Sequence, residues 1–236
     1  MKKKIVAMCA TVALAAVAVA GGSLAYFTDT DEAKNVMTTG SVAIEQIEQE
    51  RGESGALQPF TPNKPVVPAV GPIAWDANLL AVGGGNQKVF DDDLKNVIDK
   101  FVHVKNTGKS DAYVRTIIVI EAPGYDPNDL IHVNVNDSVG VTATSWAPVT
   151  AGGIDYVYSV FTYTNELAPN AETNVSLAQV FLDSATTNED VAAYGDTWEI
   201  YAFSQAVQAD GFADAATALD TAFGAINATA VAALLP

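Results

Sequence analysis

Turn-forming residues cut this chain into apolar runs too short for core helices and too regular for disorder. The clearest run is Ala112–Glu121 (AYVRTIIVIE), rich in β-branched residues and bounded by Asn106-Thr107-Gly108 and Pro123-Gly124. Such residues favour strands, and a run apolar at consecutive middle positions predicts a strand buried on both faces. Similar runs follow between Gly, Pro, Asn and Asp clusters. They are Lys95–Asn106, Leu130–Asn136, Val139–Trp146, Tyr156–Thr164, Leu177–Asp183 and Thr197–Gln208. No helical period of core length lies between them, which argues against a parallel α/β sheet. The expected fold is all-β, a jelly-roll-like antiparallel β-sandwich.

The ends of the chain differ from this middle. Lys2, Lys3 and Lys4 precede an uncharged apolar run, Ile5–Ala20, and then Gly21-Gly22-Ser23-Leu24-Ala25. A basic start, a short apolar core and a small-x-small ending make a secretory signal. The run has 16 residues, short of the ~20 needed to cross a bilayer. Residues 1–25 are therefore expected to be a signal peptide cleaved between Ala25 and Tyr26. Residues 26–209 form the expected sandwich domain. Within it, 26–35 read as irregular and Val36–Glu50 as a first strand, followed by a proline-rich surface loop, 51–75. That loop holds Pro59, Pro62, Pro65, Pro68 and Pro72, and proline cannot donate to a sheet ladder. Residues 76–94 continue as loop. In 210–236, Phe212, Ala215, Ala216, Leu219, Ala222 and Phe223 have helical spacing. Asp210 is the candidate N-cap and Gly224 the stop. This short C-terminal helical segment is expected to close one end of the sandwich.

Charge and cysteine narrow the function classes. The only cysteine, Cys9, lies in the signal, so the mature chain has no disulfide and must be held by core burial. Cleavage leaves nine basic residues against 28 acidic ones, a formal net charge of −19. A surface of that sign repels nucleic acid and anionic lipid and keeps the monomer soluble.

Catalytic patterns are sparse. His103 and His132 each sit inside an expected strand, and no HExxH or close histidine pair occurs, so no zinc-protease motif is formed. GxSxG, phosphate-loop and dinucleotide patterns are missing too, and no cofactor is expected. Asp91-Asp92-Asp93, Asp29 with Asp31, and Asp126 with Asp129 are acidic clusters that match no EF-hand loop. Tyr156, Tyr158, Phe161 and Tyr163 alternate along one run. They are a candidate aromatic face for a glycan-binding module or adhesin, although alternate strand aromatics are usually half core.

The segment Gly21-Gly22, Ala25-Tyr26-Phe27-Thr28-Asp29, then Val36, Met37, Gly40, Val42 and Ile44 resembles the N-terminus of the TasA and camelysin family. These are secreted Gram-positive proteins whose signals are removed by the peptidase SipW. Val102–Gly108 (VHVKNTG) with Tyr113-Val114-Arg115 looks like the family's next strand, turn and strand. Ala206–Phe212 (AVQADGF) is similar to a segment of wider SipW-type proteins. The resemblance covers residues 1–50 and 95–121. It implies a subunit of the extracellular or biofilm matrix that forms TasA-like fibres. In such fibres the mature N-terminus adds as a strand to the next copy, and here Phe27, Val36, Val42 and Ile44 would be the inserted side chains. The implied partners are further copies of the chain and other matrix or cell-wall components. Camelysin itself implies an alternative, a cell-surface metalloendopeptidase built on His103, His132 and distant carboxylates. The preferred expectation is a non-catalytic structural protein.

Overall fold

The computed structural model describes residues 42–65, 67–70, 96–125, 131–135, 140–193 and 198–236, together with the backbone of 23–26. Among the described residues, strands form two antiparallel sheets. The larger runs β1 (Ser23–Tyr26), β11 (Glu199–Gln208), β5 (Ala112–Glu121), β9 (Ile154–Leu167), β7 (Val141–Ala143), and β8 (Ala147–Ala151) also pairs with β9. The smaller runs β3 (Leu57–Pro59), β2 (Ile44–Arg51), β4 (Ile98–Asn106), β10 (Leu177–Leu182), β6 (Ile131–Val135). The chain changes sheet at most connections, and late strands insert between early ones. Thus β10 lies between β4 and β6, and β9 between β5 and β7. That interleaving is of jelly-roll type, as the turn-divided sequence predicts.

Residues Ala112–Ile120 of β5 are all buried, because both faces of the larger sheet are covered. Ile118 and Ile120 point between the sheets, where they join Ile98, Val102, Phe161, Leu177, Val180 and Ile200. Ile117 and Val119 point the other way, toward Tyr156, Tyr158, Tyr201, Phe203, Val231 and Leu235. The last two belong to the C-terminal segment. That segment therefore lies on the outer face of the larger sheet and does not close an end of the sandwich. The physical reason is that β5, β9 and β11 carry apolar residues on both faces, so a second apolar layer is needed outside.

Two helices build the layer. In α2 (Ala215–Phe223), Ala215, Ala218 and Leu219 pack on Tyr113 and Val207. Its N-cap is Asp214, whose carboxylate accepts from the Thr217 N–H at 2.8 Å, so the cap lies four residues beyond the expected Asp210. Gly224, at φ 81°, ends it as expected and donates its N–H to the Asp220 carbonyl. Asn227 caps the short α3 (Ala228–Ala232), which drives Val231 into the outer cluster.

Several elements depart from the sequence expectations. Of the stretch Val139–Trp146 only Val141–Ala143 is strand among the described residues, and beyond it the Thr144 side chain accepts from the Val160 N–H at 3.0 Å. A further strand, β8, then pairs along β9 despite Pro148, which an edge position allows. Gly152 and Gly153 have φ of 59° and 87°, the two-residue hairpin turn that only left-handed residues make readily. Within the proline-rich loop, Leu57–Pro59 pairs with β2. A short helix, α1 (Asn188–Ala193), precedes β11. Tyr156, Tyr158, Phe161 and Tyr163 are all buried, so they present no aromatic face for a glycan.

Arg115 fastens the outer layer. Its side chain is 4% exposed; Nε donates to Gln205 Oε1 at 2.7 Å, Nη1 to Asp220 Oδ1 at 2.7 Å and Nη2 to the Gly224 carbonyl at 2.8 Å. Replacing Arg115 with Met keeps most of the volume and removes every donor. A loss of about 2–3 kcal/mol is expected, read from urea denaturation. A change below about 0.5 kcal/mol, the usual limit for a surface substitution, would mean the clamp contributes nothing.

Candidate assembly edge

The strand β11 lies next to the margin of the larger sheet, and its outward edge takes up β1. The register is Ser23↔Ala202, Leu24↔Tyr201, Ala25↔Ile200 and Tyr26↔Glu199. The expected cleavage bond, Ala25–Tyr26, therefore lies inside this short strand. Past Ala202, β11 continues to Gln208 with no other strand along that edge among the described residues. A sheet edge presents a row of backbone donors and acceptors to any extended segment.

The edge is held in shape from both faces. Ile200 and Ala202 are anchored between the sheets. On the other face Tyr201 stacks on Phe203, with centroids 6.1 Å apart and planes 4° apart, and Tyr156 meets Tyr201 edge-on at 6.0 Å. The Tyr201 hydroxyl donates to Glu199 Oε2. The Glu199 N–H donates to Glu121 Oε2 at 3.1 Å, and Trp198 Nε1 donates to the Glu121 carbonyl at 2.8 Å. Burial raises the Glu121 carboxyl above its usual range, and the Glu199 charge adds to that.

Facing β11 across this side of the sandwich is β2. Ser204 of β11 donates to Gln46 Oε1 at 2.7 Å, and Val42, Ile44 and Ala206 share one cluster. Val42 and Ile44 are thus buried in their own sandwich, with Ile44 paired to Asn106 of β4. Ala25 and Tyr26 lie in β1, whereas Phe27 and Val36 fall outside the described residues. The candidate donor residues divide accordingly: Val42 and Ile44 anchor the chain's own domain.

A polar group that the sequence reading did not single out lies deeper on the same side. Lys100, 1% exposed, donates Nζ to Glu48 Oε2 at 2.5 Å, and Gln46 Nε2 donates to Glu48 Oε1 at 3.0 Å. The Phe60 ring covers the amine, 4.1 Å from Nζ to the centroid. Burial lowers the Lys100 amine below its usual value, against the pull of Glu48 and then Glu50. Burial raises the Glu50 carboxyl, but hydrogen bonds from Lys64, Gln58 and Thr61 outweigh it and hold it low. The signal was present in the strand period. Ile98 and Val102 point inward, so Lys100 must too; Ile44 points inward, so Gln46, Glu48 and Glu50 follow.

The two histidines stand apart on the outer face of the smaller sheet. Val102 pairs with Leu177 of β10 and His132 with Phe181. His103, one residue past Val102, therefore stands about five residues of β10 away from His132, roughly 17 Å along the strand, with β10 between them. His132 Nε2 lies 2.7 Å from Asp183 Oδ2, and His103 Nε2 lies 3.2 Å from Gln49 Oε1 with Nδ1 3.5 Å from Glu172. Among the described residues no three His, Cys, Asp or Glu side chains converge as metal ligands. Asp29, Asp31, Asp91–Asp93, Asp126 and Asp129 lie outside the described residues. No helix among the described residues is long and apolar enough to cross a membrane.

These features define a jelly-roll-type sandwich whose β11 edge pairs with the strand that holds the expected cleavage bond. Residues 1–50 match the family model described as camelysin metallo-endopeptidase, a match that takes in β1 and nearly all of β2. The N-terminal fifth of the chain is thus camelysin-like, in agreement with the resemblance carried by its motif. No curated protein and no solved structure matches the chain.

Burial sets the titration of both histidines. It depresses His103 and His132 below the ordinary imidazole value of 6.5, outweighing Glu172 for the first and Asp183 for the second. Asp183 is itself held low, by the Ala185 N–H and then by His132. An ionised Asp183 only accepts, so His132 carries a proton on Nε2 and donates it to Asp183. Below about pH 6.5 the unfolded chain binds protons that the folded chain refuses, so stability falls as pH drops. The urea midpoint is expected to decline from about pH 7 to about pH 5. Substituting both His103→Gln and His132→Gln should flatten that slope; an unchanged slope would assign it elsewhere.

Proposed function

We propose that the mature chain is a secreted structural subunit of the cell surface or extracellular matrix, joined to its own copies by strand addition at β11. The observation that supports this most is the register of β1 across the signal junction. Cleavage after Ala25 removes Ser23, Leu24 and Ala25, the partners of Ala202, Tyr201 and Ile200. The vacated edge keeps its backbone groups and the side chains that shape it. An extended segment of another copy supplies the missing hydrogen bonds.

The donor in this proposal is the segment from Tyr26 to the start of β2, with Phe27 and Val36 as its apolar side chains. Val42 and Ile44 stay in their own sheet and act as the anchor. Tyr26–Ser41 reaches roughly 50 Å when fully extended, enough to leave one sandwich and pair on the next. A head-to-tail contact that does not close builds a filament. The camelysin-like N-terminus supports export to the cell surface, where other matrix or cell-wall components become accessible partners.

The test is polymerisation of the mature protein. Purified chain beginning at Tyr26 should form filaments under electron microscopy. Deletion of residues 26–35, or Phe27→Asp with Val36→Asp, should leave a folded monomer. Monomers alone from the unaltered chain under biofilm-like conditions would sink the proposal.

The description of the matched family supports a second reading, a metalloendopeptidase using His103 or His132 with carboxylates. Casein cleavage that needs zinc, is stopped by a chelator and is lost in His103→Ala would favour it over the structural role. Activity indifferent to that substitution would remove His103 from any site.

A further inference from the structure

We propose that Lys100 and Glu48 are joined in the mature protein by an amide bond between their side chains, formed without any other reactant. The pair has what the condensation requires. The amine and the carboxylate are in direct contact at 2.5 Å, and the amine is 1% exposed. The opposite face of the amine is closed by the Phe60 ring. Gln46 Nε2 donates to the second carboxylate oxygen, Oε1, at 3.0 Å, and Gln46 is itself fixed by Ser204 from the other sheet.

The steps balance within this group. The Lys100 ammonium passes one proton to Glu48 Oε2, leaving a neutral amine and a neutral carboxylic acid. The Nζ lone pair attacks Cδ, and the charge gathered on Oε1 is met by the Gln46 N–H. Nζ then gives a second proton to the Oε2 hydroxyl, the Cδ–Oε2 bond breaks and Oε2 leaves as water. An ammonium and a carboxylate have become one amide and one water, with no oxidant or external acid.

Two physical effects favour it. Holding the partners in contact replaces a bimolecular encounter by an intramolecular one, with effective concentrations on the order of 10⁵ M or more for well-oriented groups. Burial makes a charged pair costly, while an amide carries no net charge and expels its water from an apolar interior. The bond also has a mechanical consequence. It ties β2, the strand that follows the donor segment, to β4 in the middle of the smaller sheet. Tension on an N-terminal donor would then be carried covalently in a chain whose mature part has no cysteine.

Mass spectrometry of the denatured mature protein decides the matter. The chain should be lighter than its sequence mass by one water. Peptide mapping should yield a branched species linking Glu48 to Lys100, and Lys100→Met should restore the sequence mass. A wild-type protein at its sequence mass overturns the proposal. Loss of one ammonia overturns it too, because a carboxamide side chain, and not the Glu48 carboxylate, would then be the acceptor. So does a water loss mapped to any other pair.

Discussion

The fold depends on the burial of β5 from both sides. A strand with Ile118 and Ile120 on one face and Ile117 and Val119 on the other cannot sit in a one-layered or half-solvated sheet. Each such side chain contributes about 1.5–3 kcal/mol when fully removed from water. The smaller sheet covers one face, and α2, α3 and the final residues cover the other. Arg115 shows how the layers are kept in register. It is charged, it lies on the covered face, and its donors bind groups of α2 and the α2–α3 junction. A chain whose single cysteine, Cys9, has no second cysteine to pair with is thereby stabilised by two apolar interfaces on one sheet.

Covering both faces leaves only the margins of the sheet free to act. At the β7 and β8 margin the chain supplies two short strands of its own along β9. At the β11 margin the partner is four residues long and straddles the expected cleavage bond. The contrast gives the β11 margin its interest, because the sheet there is rigid while its hydrogen-bond partner is brief. Side chains of Ile200, Tyr201 and Phe203 are locked by neighbours on either face, so backbone groups of the edge are already positioned for an incoming strand. Preorganisation of this kind lowers the entropic cost of association.

Much of this architecture was legible as strand period and turn chemistry. Ala112–Glu121 matches β5 end to end, and the reading that it is buried on both faces is met by the outer cluster. Gly224 ends α2 as its position implied. What escaped was set by tertiary context. Nothing local distinguishes Asp210 from Asp214 as a cap, and the choice falls to the residue whose helix can lay Ala215, Ala218 and Leu219 on Tyr113. β7 ends at Ala143, where Thr144 takes a side-chain hydrogen bond from the Val160 N–H across the sheet. Val42 and Ile44 fit a donor strand and a first core strand equally well by alternation. Their placement follows from Val104 and Val114, neighbours far along the chain.

The polar interior illustrates a different limit. Inward register alone puts Gln46, Glu48, Glu50 and Lys100 between the sheets, where unpaired charges cost several kcal/mol each. A purely structural sandwich tolerates such a group only if every member is satisfied, and here the chain from Thr116 through Ser204, Gln46 and Glu48 to Lys100 is continuous. Apolar residues of similar volume would stabilise as well or better. Under the strand-addition proposal, the charged groups on β2, directly behind the donor segment, lie where resistance to tension matters more than equilibrium stability. A strand pulled from its N-terminus yields first at its outermost ladder, and a contact reaching from β2 to the interior of β4 is what delays that yielding.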